Sequence, residues 1–505
     1  MHLYRKRALL EGFETEIFKL LSFGATPEQW AEWLRAPLEH AATRGNLDLV
    51  TRLLKAGANG GAGWRGCRGR TLLDAAALGG NPDVVAVLLQ AGCRPDARVV
   101  SVSSKRSALH LAVVCGHKKV AKKLILAGAN VRYTDPADQC SPLHVAAAAG
   151  HDEIVTDLLI SGASPYSRDQ VNGRKPLHYA AGMGHAKVVS VLLEHAVDAN
   201  AVDDDFFTPL MLTAQNNHLS TAKLLLAANA NVNHRNTFTQ SALDYAAENG
   251  HAGVLKAILE HGADVTTVDN CSWTALHWAA SSDQACVDAL LDAGADINAE
   301  ADGSITPLHL AAGDNSTEAL FALLRRGADV HKAASRGRTA LHRACLDKNA
   351  GVEKTVDLLL RWGASETTVD VDGETSGDLL EKRVYHNNPC SAAEKDRVRV
   401  LLARAPADRA WRRRCWLVML RARAEKERLA RLAANGSSQT QGGCSSNKMG
   451  RTDPADRGGT AGGRGGRCAD VDGSGAAAGE SLSSWVTALV ELESEGLFRS
   501  IVGFL

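Results

Sequence analysis

Between Leu38 and Leu341 one arrangement of apolar and polar positions returns every 32 to 36 residues. Its marker is a leucine inside a short string such as SALH (107–110), SPLH (141–144), KPLH (175–178), TALH (274–277), TPLH (306–309) and TALH (339–342), with looser copies APLE (36–39), TLLD (71–74), TPLM (208–211) and SALD (241–244). Two small residues usually follow, as in Ala146-Ala147 and Ala311-Ala312, and then Gly-His, as in Gly116-His117, Gly150-His151, Gly184-His185 and Gly250-His251. A pair of aliphatics comes next, such as Leu158-Leu159 or Leu192-Leu193, and the unit closes on Gly-Ala, as at Gly162-Ala163 and Gly327-Ala328. This pattern predicts two short antiparallel helices per unit. Thr or Ser caps the first helix, and Pro is tolerated in its first turn. The leucine and the alanines face inward, where the small side chains allow close approach. Gly-His separates the helices, the aliphatic pair gives the second its buried face, and the closing Gly fits a left-handed terminus. No unit can bury its apolar face alone, so the units must stack.

The repeat resembles the ankyrin family, over residues 37 to about 370 and, in a degenerate eleventh copy around Thr375, Asp378-Leu379 and Leu401-Leu402, to about 404. The resemblance implies an all-α solenoid of helix-turn-helix units joined by hairpin loops. Three departures stand out. Ala196 and Asn229 replace the closing Gly, the tenth copy carries two extra residues near Asn349-Ala350, and the eighth is one short near Asp283. The second helices of the eighth and tenth copies are expected to be re-phased, bending the stack.

Outside the array, residues 1–36 read as an N-terminal helical cap, with Phe13, Ile17, Phe18, Leu20 and Leu21 over the first repeat and Trp30 and Trp33 at its edge. Residues 405–434 read as a basic C-terminal helix capped at Asp408. Residues 435–481, with GGRGGR at 462–467, read as a disordered linker. Residues 482–505 read as a short apolar helix and tail from Trp485 to Leu505, able to dock on the array or to serve a separate protein.

Charge changes this picture little. Lys plus Arg and Asp plus Glu are both 57 in 505 residues, so the whole molecule does not attract nucleic acid or anionic membrane. Locally, residues 397–431 hold 12 basic and 3 acidic residues. That segment and the Arg-Gly tract offer an alternative nucleic-acid role, set against a capping helix built on Trp411, Cys415, Trp416, Leu417, Val418 and Leu420. The 11 cysteines form no C-x-x-C pair, and neither a signal peptide nor an apolar run long enough to span a membrane is visible, which points to a cytoplasmic or nuclear protein.

Candidate chemistry is sparse. The 18 histidines fall mainly at two repeat positions, so neighbours lie roughly 10 Å apart, too far to share an ion, and read as hydrogen-bonding groups. No P-loop, H-E-x-x-H or G-x-S-x-G string occurs. Gly182-Met183-Gly184 falls on a turn between helices. Asp370-Val371-Asp372-Gly373 and Asp470-Val471-Asp472-Gly473 place Gly too early for a calcium loop and read as turns. No cofactor, metal or catalytic residue is expected, and the function expected is that of a non-catalytic scaffold.

The family resemblance implies that a partner protein meets the hairpin tips and the exposed face of the first helices, one concave strip. The positions that packing leaves free there are Arg174 and Met183; Asp204, Asp205, Phe207, Gln215 and Asn216; Phe238, Gln240, Glu248 and Asn249; Trp273 and Ser281; Asp302, Ile305 and Asp314; Arg336 and Arg338. Phe207, Phe238 and Trp273, in three successive repeats, are the candidate aromatic anchors, set against packing on their own hairpins, above all for Trp273. The acidic bias of the strip fits a partner with basic groups at its rim.

Overall fold

The computed structural model describes residues 34–55, 58, 70–97, 106–346, 351–382 and 393–406. The N-terminal segment to residue 33, the tenth-repeat insertion at 347–350 and everything from 407 onward lie outside the described residues, and with them most of the proposed cap, the basic helix, the linker and the tail.

The described residues form an almost wholly helical stack. Inner helices run Arg35–Thr43, Leu72–Gly79, Ala108–Val114, Pro142–Ala149, Pro176–Gly182, Pro209–Gln215, Ala242–Glu248, Ala275–Ala280, Pro307–Gly313, Ala340–Leu346 and Ser376–Lys382. Outer helices run Leu47–Lys55, Pro82–Gln90, Lys118–Leu126, Asp152–Ile160, Ala186–Glu194, Leu219–Ala227, Ala252–Glu260, Gln284–Asp292, Thr317–Arg326 and Val352–Arg361, and a further helix covers 393–406. Every inner helix packs on the inner helix of the next repeat, and the ten named outer helices do likewise. The core is therefore a continuous ribbon. In the fourth repeat it takes Leu143, Ala146 and Ala147 from the inner helix and Ile154, Val155 and Leu158 from the outer one.

The turns explain why Gly-His recurs. Gly150 lies at φ +77°, and a Cβ there would sit 2.5 Å from Nδ1 of His185 in the next repeat. That ring donates from Nε2 to the Ala148 carbonyl at 3.0 Å, and His218 does the same to Gly182 at 3.1 Å. Glycine thus supplies both the left-handed backbone and the space for the neighbouring imidazole. Where the histidine is missing, another polar side chain makes the equivalent bond: Asn81 to Gly45, Ser282 to Ala247 and Ser316 to Ser281. At the closing position Ala196 and Asn229 adopt φ +57° and +59°, the same conformation as the glycines they replace.

The eighth repeat corrects one expectation. Its outer helix buries Cys286, Val287, Ala289 and Leu290, the same spacing as Val254, Leu255, Ala257 and Ile258 in the seventh. The missing residue is taken from the turn Ser281–Asp283, so the helix itself keeps its phase.

Candidate interaction surface

Most described hairpins take their shape from one buried or half-buried side chain, whereas Ala301 and Ala334 hold that position in two others. Asp203 Oδ1 accepts from the Asp205 and Phe207 N–H groups at 3.1 and 2.8 Å. Asn236 does so for Phe238 and Gln240, Asp269 for Cys271 and Trp273, and Asp370 for Asp372 and Glu374. The second polar atom of each is also engaged. Arg174 Nε donates to Asp203 at 3.2 Å and Arg338 Nε to Asp370 at 3.1 Å, each joining consecutive hairpins. Asp269 instead accepts from Trp278 Nε1, and the Asn236 amide donates to the Tyr245 hydroxyl. Asp370-Val371-Asp372-Gly373 is accordingly a hairpin turn held by its own first carboxylate.

The inner-helix histidines anchor these hairpins from below. In the fourth repeat Nδ1 of His144 accepts from the Ser141 N–H at 3.1 Å, which leaves the ring proton on Nε2. Nε2 then donates to Ser167 and Arg174 carbonyls of the next hairpin at 3.0 and 3.1 Å. His178, His277, His309 and His342 repeat this bond to Phe207, Ile305, Arg338 and Glu374. Burial holds all of these imidazoles, with His110, below their ordinary pKa, and brings His178 and His309 down to about 4. Among the described residues no group of three or more His, Cys, Asp or Glu side chains is placed to hold a metal, and no helix is long and apolar enough to cross a membrane.

The structure divides the expected strip residues into two sets. Met183, Asp204, Asp205, Gln215, Asn216, Phe238, Glu248, Asn249, Asp302, Asp314 and Arg336 are exposed. Arg174, Phe207, Gln240, Trp273, Ser281, Ile305 and Arg338 are half-buried, and several have structural partners. Arg174 and Arg338 are tied to buried carboxylates, as above. Phe207 packs on Tyr245 with ring centroids 5.4 Å apart, and Trp273 packs on Trp278 at 4.6 Å. These two aromatics are hairpin-to-helix packing groups and not free anchors, because each lies beside the capping carboxylate and turns back onto an inner helix. Three exposed tip charges are also paired: Arg168 with Asp204, Ser272 with Asp302 and Arg336 with Asp372.

The aromatic that does project is Phe206, 52% exposed beside Phe238 at 57% in the adjacent hairpin. Phe206 adopts φ +62°, at a position three residues past the capping side chain where other hairpins place Thr239, Ser272 and Gly373. The hairpin fixes the left-handed backbone at this position, so a bulky ring is strained where other hairpins place small or polar residues. The doublet Phe206-Phe207 conceals this in the sequence, since only the backbone conformation tells which ring turns outward.

At the start of the basic segment, Arg397 pairs with Glu353 and Arg399 with Glu381 and Asp396. These two charges are committed to the end of the stack, which weighs against a nucleic-acid surface beginning there.

Compared with known families, the chain matches the one described as Ankyrin repeats (3 copies) over residues 7–99, 38–135, 93–169, 143–236, 210–301 and 299–370. No curated protein matches it by sequence. Among solved structures it is similar to the human ASB11 ankyrin repeat domain, at 25% identity over 45% of this chain and 98% of that one, with a TM-score of 0.40.

Proposed function

The chain belongs to the ankyrin-repeat family, and from that premise we propose that it is a non-catalytic scaffold whose concave surface binds a partner protein through hairpins and inner helices of the fifth to ninth repeats. Ankyrin repeats are in general protein-binding modules, and the site must be argued from this chain's own residues. The observation that carries the proposal is the pair of projecting rings, Phe206 and Phe238, the first a bulky residue at a left-handed hairpin position that other repeats fill with small or polar residues. Exposed aromatics in adjacent repeats are efficient interface anchors, because they bury much area for little lost side-chain entropy. Acidic groups surround them, so the partner is expected to bring Lys or Arg to the rim.

The test is affinity capture by the intact chain and by Phe206→Ala/Phe238→Ala, with and without nuclease. The same discrete proteins should be retained by the first and lost by the second. Retention by both would sink the assignment of this surface. Capture only of nuclease-sensitive material, released by salt, would move the function to the basic segment.

A further inference from the structure

Along the concave surface the same two positions recur in every repeat, five and six residues after the marker leucine, and their chemistry changes partway. In the third to fifth repeats they include Val114, Ala149 and Met183, all exposed, with Val114 at 43% and Met183 at 58%. From the sixth repeat on they include Gln215, Asn216, Glu248, Asn249 and Asp314, also exposed. The hairpin tips change in step. Val171, 65% exposed, precedes Phe206 and Phe238, with Asp204 and Asp205 sharing the tip of Phe206, whereas the tip between the eighth and ninth repeats carries Asp302 and no exposed apolar residue. Stacking aligns equivalent positions on consecutive inner helices, so these residues make two adjoining zones, one apolar and one polar and acidic.

Resting on the scaffold role proposed above, we infer that the groove takes a single polypeptide segment with two blocks: an apolar or aromatic block for the third to fifth repeats and the Phe206 and Phe238 tips, and a Lys/Arg block for the seventh to ninth. The inner-helix positions of the apolar zone carry no charge and gain by burying hydrocarbon, and Asp204 at its tip is already paired with Arg168. The acidic zone offers Glu248, Asp302 and Asp314 without a described cation against any of them, so it repels acidic segments and favours basic ones. From the third repeat to the ninth the strip spans roughly 60 Å at helix-packing distances. An extended segment covers that in about 18 residues. Residues 482–505 of this chain fill only half of the requirement, being apolar but carrying Glu491, Glu493 and Glu495 with Arg499 as the one basic residue.

A random linear peptide library of about 20 residues, selected on the full chain, tests this directly, with Phe206→Ala/Phe238→Ala and Glu248→Lys/Asp314→Lys as counter-targets and circular dichroism confirming that both remain folded. Selected peptides should carry an apolar block and a basic block side by side. The aromatic pair should weaken them at least tenfold while the salt dependence persists, and the charge pair should weaken them while flattening the salt dependence. Peptides lost in the aromatic variant but indifferent to the charge variant would overturn the two-block inference and leave the scaffold role intact. Peptides indifferent to both variants would overturn both. A synthetic 482–505 peptide that binds the chain and is weakened by either variant would overturn the inference by making this chain's own tail the occupant.

Discussion

Phe206 illustrates how a single residue can be poor for folding and useful for binding. Its φ of +62° costs a residue with a Cβ roughly 1 kcal/mol relative to glycine, and its ring gains little from the half-solvated tip. Phe206→Gly is therefore expected to hold the midpoint of urea unfolding or raise it by the equivalent of up to roughly 0.5 kcal/mol, after allowing for the entropy glycine adds to the unfolded chain, while weakening partner binding. Loss of stability together with loss of binding would show that the ring is packed. The two glycine classes give a second measurement at this scale. Gly128 and Gly150 lie at φ +84° and +77°, but a Cβ on Gly128 meets nothing within 4 Å whereas one on Gly150 meets His185. Gly128→Ala should cost about 1 kcal/mol and Gly150→Ala about 2–3 kcal/mol, read from the same urea curves. Equal costs would mean that the neighbouring imidazole moves freely out of the way. The recurrence of the repeat along the chain made these glycines legible. The outward ring was not, because Phe206 and Phe207 are chemically identical and differ only in backbone conformation.

At the scale of the element, the inner helix works as a cap, a core segment and a hydrogen-bond donor to its neighbour. Helix starts, the buried leucines and the alanine pairs all follow from the period, because a stacked unit has only one way to bury them. The hairpins followed less well. Arg174 and Arg338 look like free tip charges in the sequence, and only the fold places the side chains of Asp203 and Asp370 under them. The histidines at the next level have a pH consequence of definite sign. Their folded pKa values lie below the unfolded value of 6.5, so they stabilise the neutral stack above that pH. Stability is then lost as pH falls from about 6.5 toward about 4, by about 3 kcal/mol for His178 and for His309 if fully expressed. A second proton would have to sit on Nδ1, against the backbone N–H that it caps. Unfolding midpoints measured from pH 7 to pH 4 should fall, and His309→Gln should flatten that fall; a pH-independent midpoint would contradict the neutral ladder.

Across the whole molecule, a stack is only as cooperative as its weakest junction, since each repeat touches its neighbours alone. Between the third and the ninth repeats, the seventh and eighth meet at the one junction where neither histidine is present: Asp244 occupies the inner-helix position, and Ser282-Asp283 stand where Gly-His would be. Asp244 Oδ2 accepts from the Ser241 N–H and hydroxyl at 2.7 and 2.8 Å, but buried Oδ1 has no hydrogen-bond partner among the described residues. That oxygen belongs to the position from which other repeats donate an Nε2–H to the next hairpin. Burial raises the Asp244 pKa to about 6, above its ordinary 3.8, so its contribution is favourable in acid and is lost as pH rises through about 6, opposite to the histidines. At neutral pH the junction holds a buried carboxylate that nothing opposite satisfies, while the seventh and eighth inner helices still pack together. The expected outcome is separate opening on the two sides of this seam. Hydrogen exchange at pH 7.5 should find amides of the inner helix Ala275–Ala280 less protected than those of Pro142–Ala149. Asp244→His restores a donor at that position and removes the charge; it should equalise the protection and raise stability by about 1–3 kcal/mol, with most of the gain above pH 6. If the substitution instead destabilises the chain at pH 7.5, then the carboxylate is satisfied by water or by the eighth hairpin, and the seam is not the weak point of the stack.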